Sequence, residues 1–296
     1  MKNKIILITG ATDGIGKETA MSLAKQGHTI IIHGRNLQKA ENVRDQIIAE
    51  SGNSDIDILV ADLLLLADIK RAADNFRKKY KHLDVLINNA GAFFNKQRET
   101  TQEGFEKTIT LNLFAPILLT ELLLDLLQKS PSARVINLSS EMHKRGGKPD
   151  FNDFQLEQSY KPDRAYGLSK LYLIWVSQQL AKQLTDKGIN NITVNTSHPG
   201  AVSTNFGQDA DKGFFINLVF KIAYRFMDNV QDGAMTSIYL ATSPQVEGIT
   251  GKFFDNRKKM VTPDQKHYSD VNQETVWKYV QSIIEPYLPS TKVLLL

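Results

Sequence analysis

The chain has 296 residues, 42% of them hydrophobic and 23% charged, with a formal net charge of +4 and no cysteine. That length suits one large α/β domain or two small ones, and the composition is that of an ordinary globular protein. The missing cysteines exclude disulfides, a thiol nucleophile, Cys-ligated zinc and Fe–S clusters, and no metal site is expected. Lys and Arg are spread along the chain with only short clusters at 77–81 and 257–259, which argues against a nucleic-acid surface. The opening MKNKIILITG has too few apolar residues before Thr9 for a signal-peptide core. The longest oily run, 113–127, is interrupted by Thr120, Glu121 and Asp125, so no membrane-spanning helix is expected. The expected location is the cytoplasm.

In chain order, short runs of Ile, Leu and Val alternate with helical periodicity. KIILITG (4–10) predicts a first strand, and GIGKETAMSLAKQG (14–27) a helix ended by Gly27. TIIIHG (29–34) predicts a second strand, and 37–50 a second helix. DIDILVADL (55–63) predicts a third strand, 67–80 a third helix, and LDVLINNAG (83–91) a fourth strand. A helical region runs from about Thr101 to Gln128, with Pro116 inside it as the expected break. ARVINLSS (133–140) predicts a fifth strand, a long helix follows around 165–173, and ITVNTSHPG (192–200) predicts a sixth strand. A helix over 230–242 and a short strand at 251–255 complete the core. Strands apolar on both faces and separated by helices predict a parallel sheet. The fold class expected is a single-domain, Rossmann-type, doubly wound α/β sheet of about seven strands covering residues 1–296, with helices on both faces.

TGATDGIG (9–16) follows the first strand and opens the first helix. Its glycines, Gly10, Gly14 and Gly16, would let backbone approach a pyrophosphate with no Cβ between, and the helix N-terminus would supply N–H groups and positive dipole. A plain glycine-rich turn is the bland alternative. At the end of the second strand, HGRNLQK carries Arg35 and no carboxylate. A guanidinium there suits a ribose 2′-phosphate, so NADP(H) is the expected cofactor, with NAD(H) kept open. A solvated loop charge is the alternative for Arg35, and the carboxylate of Asp13 complicates the local electrostatics. Further on, Tyr166 stands four residues before Lys170, which places both on one helix face.

TGATDGIG, NNAG (88–91), the serine pair 139–140, YGLSK (166–170) and HPGAVST (198–204) occur in that order over residues 5 to about 255, and together they resemble the short-chain dehydrogenase/reductase family. TGATDGIGKETA and the long insert before Tyr166 resemble its retinol-dehydrogenase-like branch. The resemblance implies Tyr166 as the acid or base, Lys170 as the cation that lowers the phenol pKa and holds the nicotinamide ribose, Ser140 rather than Ser139 on the substrate oxygen, and Asn112 beside a water relay. It implies cofactor contacts from Gly10, Thr12, Asp13, Gly14, Ile15 and Gly16, from Arg35 and Asn36, from Asp62 and Leu63, and from Asn89, Ala90 and Gly91. Tyr166, Lys170, Pro199, Gly200, Val202 and Thr204 complete the set. Asp62 could instead be a helix N-cap, Asn112 a helix-interior residue bonded to backbone, Ser139 or Ser140 a helix cap, and Asn88 and Asn89 simple turn residues, although the family uses that stretch at the adenosine-ribose side and to brace the sheet. His198 reads as structural.

The activity implied is hydride transfer between nicotinamide and a carbonyl or alcohol. Two stretches, about 141–165 and 203–228, are expected to shape the substrate pocket. The second is rich in apolar residues such as Phe214, Phe215, Phe220 and Phe226, with Lys221 and Arg225 among them. Residues 213–226 have three readings: a lid over a lipophilic aldehyde, ketone or retinoid-like substrate, a peripheral membrane contact, or packing against the body or a second subunit of a homo-oligomer. A catalytically idle NADP(H)-binding redox sensor is the rival from another class.

Overall fold

The computed structural model describes residues 3–200 and 229–289. Eight strands form one sheet in the order β3-β2-β1-β4-β5-β6-β7-β8. They are β1 (Ile5–Ile8), β2 (Thr29–Gly34), β3 (Ile56–Val60), β4 (Val85–Asn88), β5 (Ala133–Leu138), β6 (Ile192–Ser197), β7 (Phe253–Phe254) and β8 (Met260–Val261). All neighbours pair in parallel except β7 with β8, where Phe253 faces Val261 and Phe254 faces Met260. The expected parallel core is therefore present, with one antiparallel edge strand beyond it.

Side chains alternate between two cores. Leu7 and Leu86 face one, while Ile6, Ile8, Val85 and Ile87 face the other. The first core lies under α3 (Leu66–Lys79), α4 (Lys107–Ile109), α5 (Ala115–Leu122), α6 (Leu124–Gln128), α7 (Pro162–Asp186) and α9 (Asp270–Ile284). The second lies under α1 (Gly14–Ala24), α2 (Leu37–Ser51) and α8 (Val230–Thr242). Strand order reverses between β1 and β4, so a crevice opens at the carboxyl ends of those strands, where doubly wound sheets hold their ligands.

Three elements differ from expectation. The helical region starts at Lys107, not Thr101, because Thr100 and Glu106 form a bridge and Glu106 then caps α4, accepting from Ile109 N at 2.7 Å. Pro116 does not break the helix. It has no N–H to return to the preceding turn, and that turn widens to a π turn over Thr110–Phe114, with Ala115 N–H on Thr110 O. The interruption comes at Leu123, between α5 and α6. Helix α9 was not expected. It lays Val276, Trp277, Val280 and Ile284 into the first core against α7.

Candidate active site

The turn after β1 is held on three sides. Gly10 has φ +63°, a conformation open to glycine, and its N–H donates to His33 Nδ1 at 3.2 Å. His33 is buried in β2 and its Nε2 lies 3.1 Å from Ala61 O. Burial pushes its pKa down to about 4, so the neutral ring accepts from Gly10 and donates to Ala61. Asn89 Nδ2 donates to Thr9 O at 2.8 Å and to Gly10 O at 3.2 Å, and Ala90 N–H donates to Thr9 Oγ1 at 3.0 Å. A Cβ on Gly16 would collide with Gly10 O and Asn89 Nδ2, so the start of α1 sits directly against the turn. Thr12 packs its methyl on Gly34 in the same way. Asp13 caps α1 through Gly14 N at 2.8 Å and pairs with Lys39 Nζ at 2.9 Å, while Ile15 packs partly buried against the second core. The Asp13 carboxylate thus has a cation of its own.

At the end of β2, Asn36 caps α2 by accepting from Lys39 N at 2.9 Å. Arg35 is exposed, and its guanidinium makes no hydrogen bond or ion pair with any described residue. After β3, Asp62 Oδ1 accepts from Leu64 N at 3.0 Å, and Asp62 N–H donates to Asp68 Oδ2 at 2.7 Å. Asp62 is a turn residue and not the cap of α3; Glu103 takes the Leu66 and Ala67 N–H groups at 2.7 and 3.0 Å. Leu63 and Ala90 line a narrow crevice with Thr9 and Leu111 beside the glycine turn.

A second cluster gathers where β5 ends and α7 passes. Tyr166 is 7% exposed and Lys170 3% exposed. The Ser140 and Tyr166 side chains share a hydrogen bond. Ser139 turns the other way, its Oγ donating to Lys170 O at 3.0 Å. Lys170 Nζ donates to Leu138 O at 2.8 Å. Asn112, on the π turn, donates to Ala92 O at 3.0 Å and Ser169 Oγ at 3.1 Å, and accepts from Ala92 N at 3.1 Å. A Cβ on Gly91 would stand 3.0 Å from Asn112 Oδ1 and 3.1 Å from Lys170 Nζ, so these three positions converge. Asn88 is buried and ties β4 to β5, its Nδ2 donating to Asn137 Oδ1 at 2.7 Å.

The electrostatics differ from the sequence expectation. Burial pushes the Tyr166 phenol up to about 12, against a small lowering from Ser140, and burial pulls Lys170 down to about 7. Taking charge out of water disfavours both ionised forms. The Lys170 Nζ stands 5.7 Å from the centre of the Tyr166 ring and directs its bond to Leu138. In this arrangement burial, and not the nearby cation, sets the direction of the phenol shift.

His198 pairs with Glu141 at 2.9 Å, and its Nδ1 accepts from Gly200 N at 3.2 Å, which shapes the turn at Pro199 and Gly200. Val202, Thr204 and residues 213–226 lie outside the described residues. Sequence reasoning missed His33, Lys39 and Phe93, whose ring lies 5.5 Å from that of Tyr166. A histidine inside an otherwise apolar strand was the one available signal for His33.

The family model for short chain dehydrogenases matches residues 4–213. Human retinol dehydrogenase 14 is 35% identical over 273 residues, covering 88% of this chain and 80% of that protein. Human polyprenol dehydrogenase is 36% identical over 274 residues, covering 89% of this chain and 81% of that one. Among solved structures, a short chain dehydrogenase from Shigella flexneri complexed with NADP is 26% identical with a TM-score of 0.68, covering 87% of this chain and 98% of that one. One from Escherichia coli complexed with NADPH gives the same identity, TM-score and coverage. The sheet order agrees with these likenesses, and the chain belongs to the short chain dehydrogenase family of oxidoreductases.

Proposed function

We propose that this protein is an NADP(H)-dependent oxidoreductase acting on an apolar carbonyl or alcohol, an aldehyde, ketone or retinoid-like molecule. One observation carries the reading: Ser140 and Tyr166 share a hydrogen bond, and Lys170, one helical turn on from Tyr166, converges with Asn112 on Gly91.

The cofactor fits the residues present. A Cβ at Gly16 would collide with Gly10 O and Asn89 Nδ2, so only glycine lets the start of α1 close on the turn that would face a pyrophosphate, and among the described residues Arg35 is a cation without a partner, at the position that would meet a 2′-phosphate. Gly10, Thr12, Asp13, Gly14, Ile15 and Gly16 would hold the pyrophosphate side, and Arg35 with Asn36 the phosphorylated ribose. Asp62, Leu63, Asn89 and Ala90 would hold the adenosine side, and Gly91, Lys170, Pro199 and Gly200 the nicotinamide side. When bound, NADPH supplies the hydride. The NADP and NADPH named with two structural neighbours support the same preference.

Tyr166 holds the proton that a reduced carbonyl oxygen needs. With its pKa near 12 the phenol is protonated at neutral pH, which suits donation to a carbonyl. Ser140 donates a hydrogen bond to the same oxygen as negative charge develops. Asn112 fixes the backbone at Ala92 and, through Ser169, the turn of α7 that carries Tyr166. The Phe93 ring beside Tyr166 offers an apolar wall, and the curated relatives named for retinol and polyprenol favour a lipophilic substrate. Among the described residues no helix is long and apolar enough to cross a membrane.

The test is a panel of aldehydes, ketones and alcohols followed by nicotinamide absorbance, run with both cofactors. Turnover of apolar carbonyls with NADPH is expected. Tight NADPH binding without turnover on any member would leave a redox sensor in its place.

A further inference from the structure

We infer that His143 is a positioning residue that fixes Ser140 by donating from Nδ1 and anchors it to the loop after β8 by accepting at Nε2, and that it does so only as the neutral ring. The inference rests on the reading of Ser140 as the donor to the substrate oxygen.

The sheet stops short of Ser140. Its last hydrogen bond there runs from Ser139 N to Ser197 O at 2.7 Å. Ser140 itself opens a 3₁₀ turn over Glu141–Arg145, with its Oγ accepting from Met142 N at 3.2 Å. Its carbonyl is held twice by one residue, from His143 N at 3.0 Å and from His143 Nδ1 at 2.7 Å. The other ring nitrogen, Nε2, lies 3.1 Å from the backbone N of Asp264. A backbone N–H can only donate, so Nε2 accepts and the ring proton sits on Nδ1, facing a carbonyl that can only accept. His143 is 1% exposed, and Phe253 packs edge-to-face on it at 5.2 Å. The path from Tyr166 through Ser140 and His143 to Asp264 therefore ties the proton donor to the C-terminal segment.

Protonation would place a second donor on Nε2, against the Asp264 N–H. The groups facing the ring are Glu141 and Lys144 on its own turn, His198 at the end of β6, and Asp264. Burial is the largest cause holding the His143 pKa below its ordinary value; Lys144 adds to it, while the Ser140 bond, Glu141 and Asp264 oppose it. The neutral ring is thus the resting state, and the anchor fails on the acid side of pH 6.5.

Two measurements test this. In the ¹⁵N-labelled full-length protein with NADPH, imidazole shifts should report the Nδ1–H tautomer of His143 across neutral pH; the Nε2–H tautomer would overturn the inference. Two variants each keep one half of the bridge. His143→Asn places an amide N–H over Nδ1 and keeps the Ser140 bond, whereas His143→Gln places its carbonyl oxygen over Nε2 and keeps only the anchor. With nonanal and NADPH, kcat should fall about 3-fold in His143→Asn and about 30-fold in His143→Gln, with similar losses of Tm. The acid limb of the wild-type kcat profile should vanish in His143→Asn. Equal kcat losses that follow Tm, or an unchanged acid limb, would reduce His143 to a packing residue. Were the wild type inert toward nonanal, the functional reading would suffer, and the tautomer would still decide the inference.

Discussion

Lys170 and Tyr166 share one face of α7, yet the lysine spends its hydrogen bond elsewhere: Nζ reaches Leu138 O at 2.8 Å and stands 5.7 Å from the phenol ring centre. Burial decides both ionisations, raising the phenol to about 12 and lowering the amine to about 7. Spacing of four residues delivered proximity, but the acidity depends on how much water the fold removes.

The lysine carries a stability prediction. A base whose folded pKa is lowered is bound to its proton more often in the unfolded chain, so stability rises with pH from about 7 toward the unfolded value near 10.5. Below pH 7 the full cost of burying the cation is present. Lys170→Met should therefore abolish turnover and raise Tm, by about 3 °C or more at pH 6.5 and by less at pH 9. Calorimetry at the two pH values checks it; a gain that is larger at pH 9 would contradict the assigned shift.

The phenol carries a kinetic one. Tyr166→Phe removes the proton and leaves the ring packed beside Phe93, so cofactor affinity should hold while kcat for carbonyl reduction falls about 100- to 10,000-fold. Ser140→Ala should cost about 100-fold, by loss of a donor to the developing oxyanion. Steady-state rates with NADPH binding measured alongside separate these effects from misfolding. A Tyr166→Phe protein retaining near wild-type turnover would remove the proton-donor role.

The parallel sheet was legible because Ile, Leu and Val fill both faces of each strand, and the glycine turn because its spacing demands backbone contact. Pro116 misled because a helix can absorb a proline by widening one turn, which depends on what Asn112 and Ala115 bond to in three dimensions. Helix α9 was missed because its apolar stripe follows the last family motif and declares itself only by packing on α7. His33 and His143 act through hydrogen bonds to backbone distant in sequence, at Gly10, Ala61 and Asp264, and no local pattern records such partners.

Cofactor preference is tested at Arg35. The guanidinium has no partner among the described residues, so its removal leaves none of them unpaired and should not alter Tm. Arg35→Gln should weaken NADPH binding about 10- to 100-fold and leave NADH binding unchanged. Fluorescence titration with both dinucleotides reads the ratio directly. Equal weakening of both would move the role of Arg35 from the 2′-phosphate to general steering.

Gly91 probes whether the converging side chains can yield. Its carbon faces Asn112 Oδ1 and Lys170 Nζ, where a methyl would stand 3.0 and 3.1 Å away. Neither neighbour is slack. Asn112 is tied to Ala92 at both ends of its amide and to Ser169, and Lys170 to Leu138. The lysine is the longer chain, held by one hydrogen bond, so it is the one to move. Gly91→Ala should then retain the fold, with a Tm loss of a few degrees, while kcat falls about 10-fold through the displaced amine. The competing outcome is displacement of Asn112, which would loosen the Ala92 backbone and show as lost cofactor affinity at unchanged kcat under saturation. Paired measurement of NADPH affinity and saturated kcat tells the two apart.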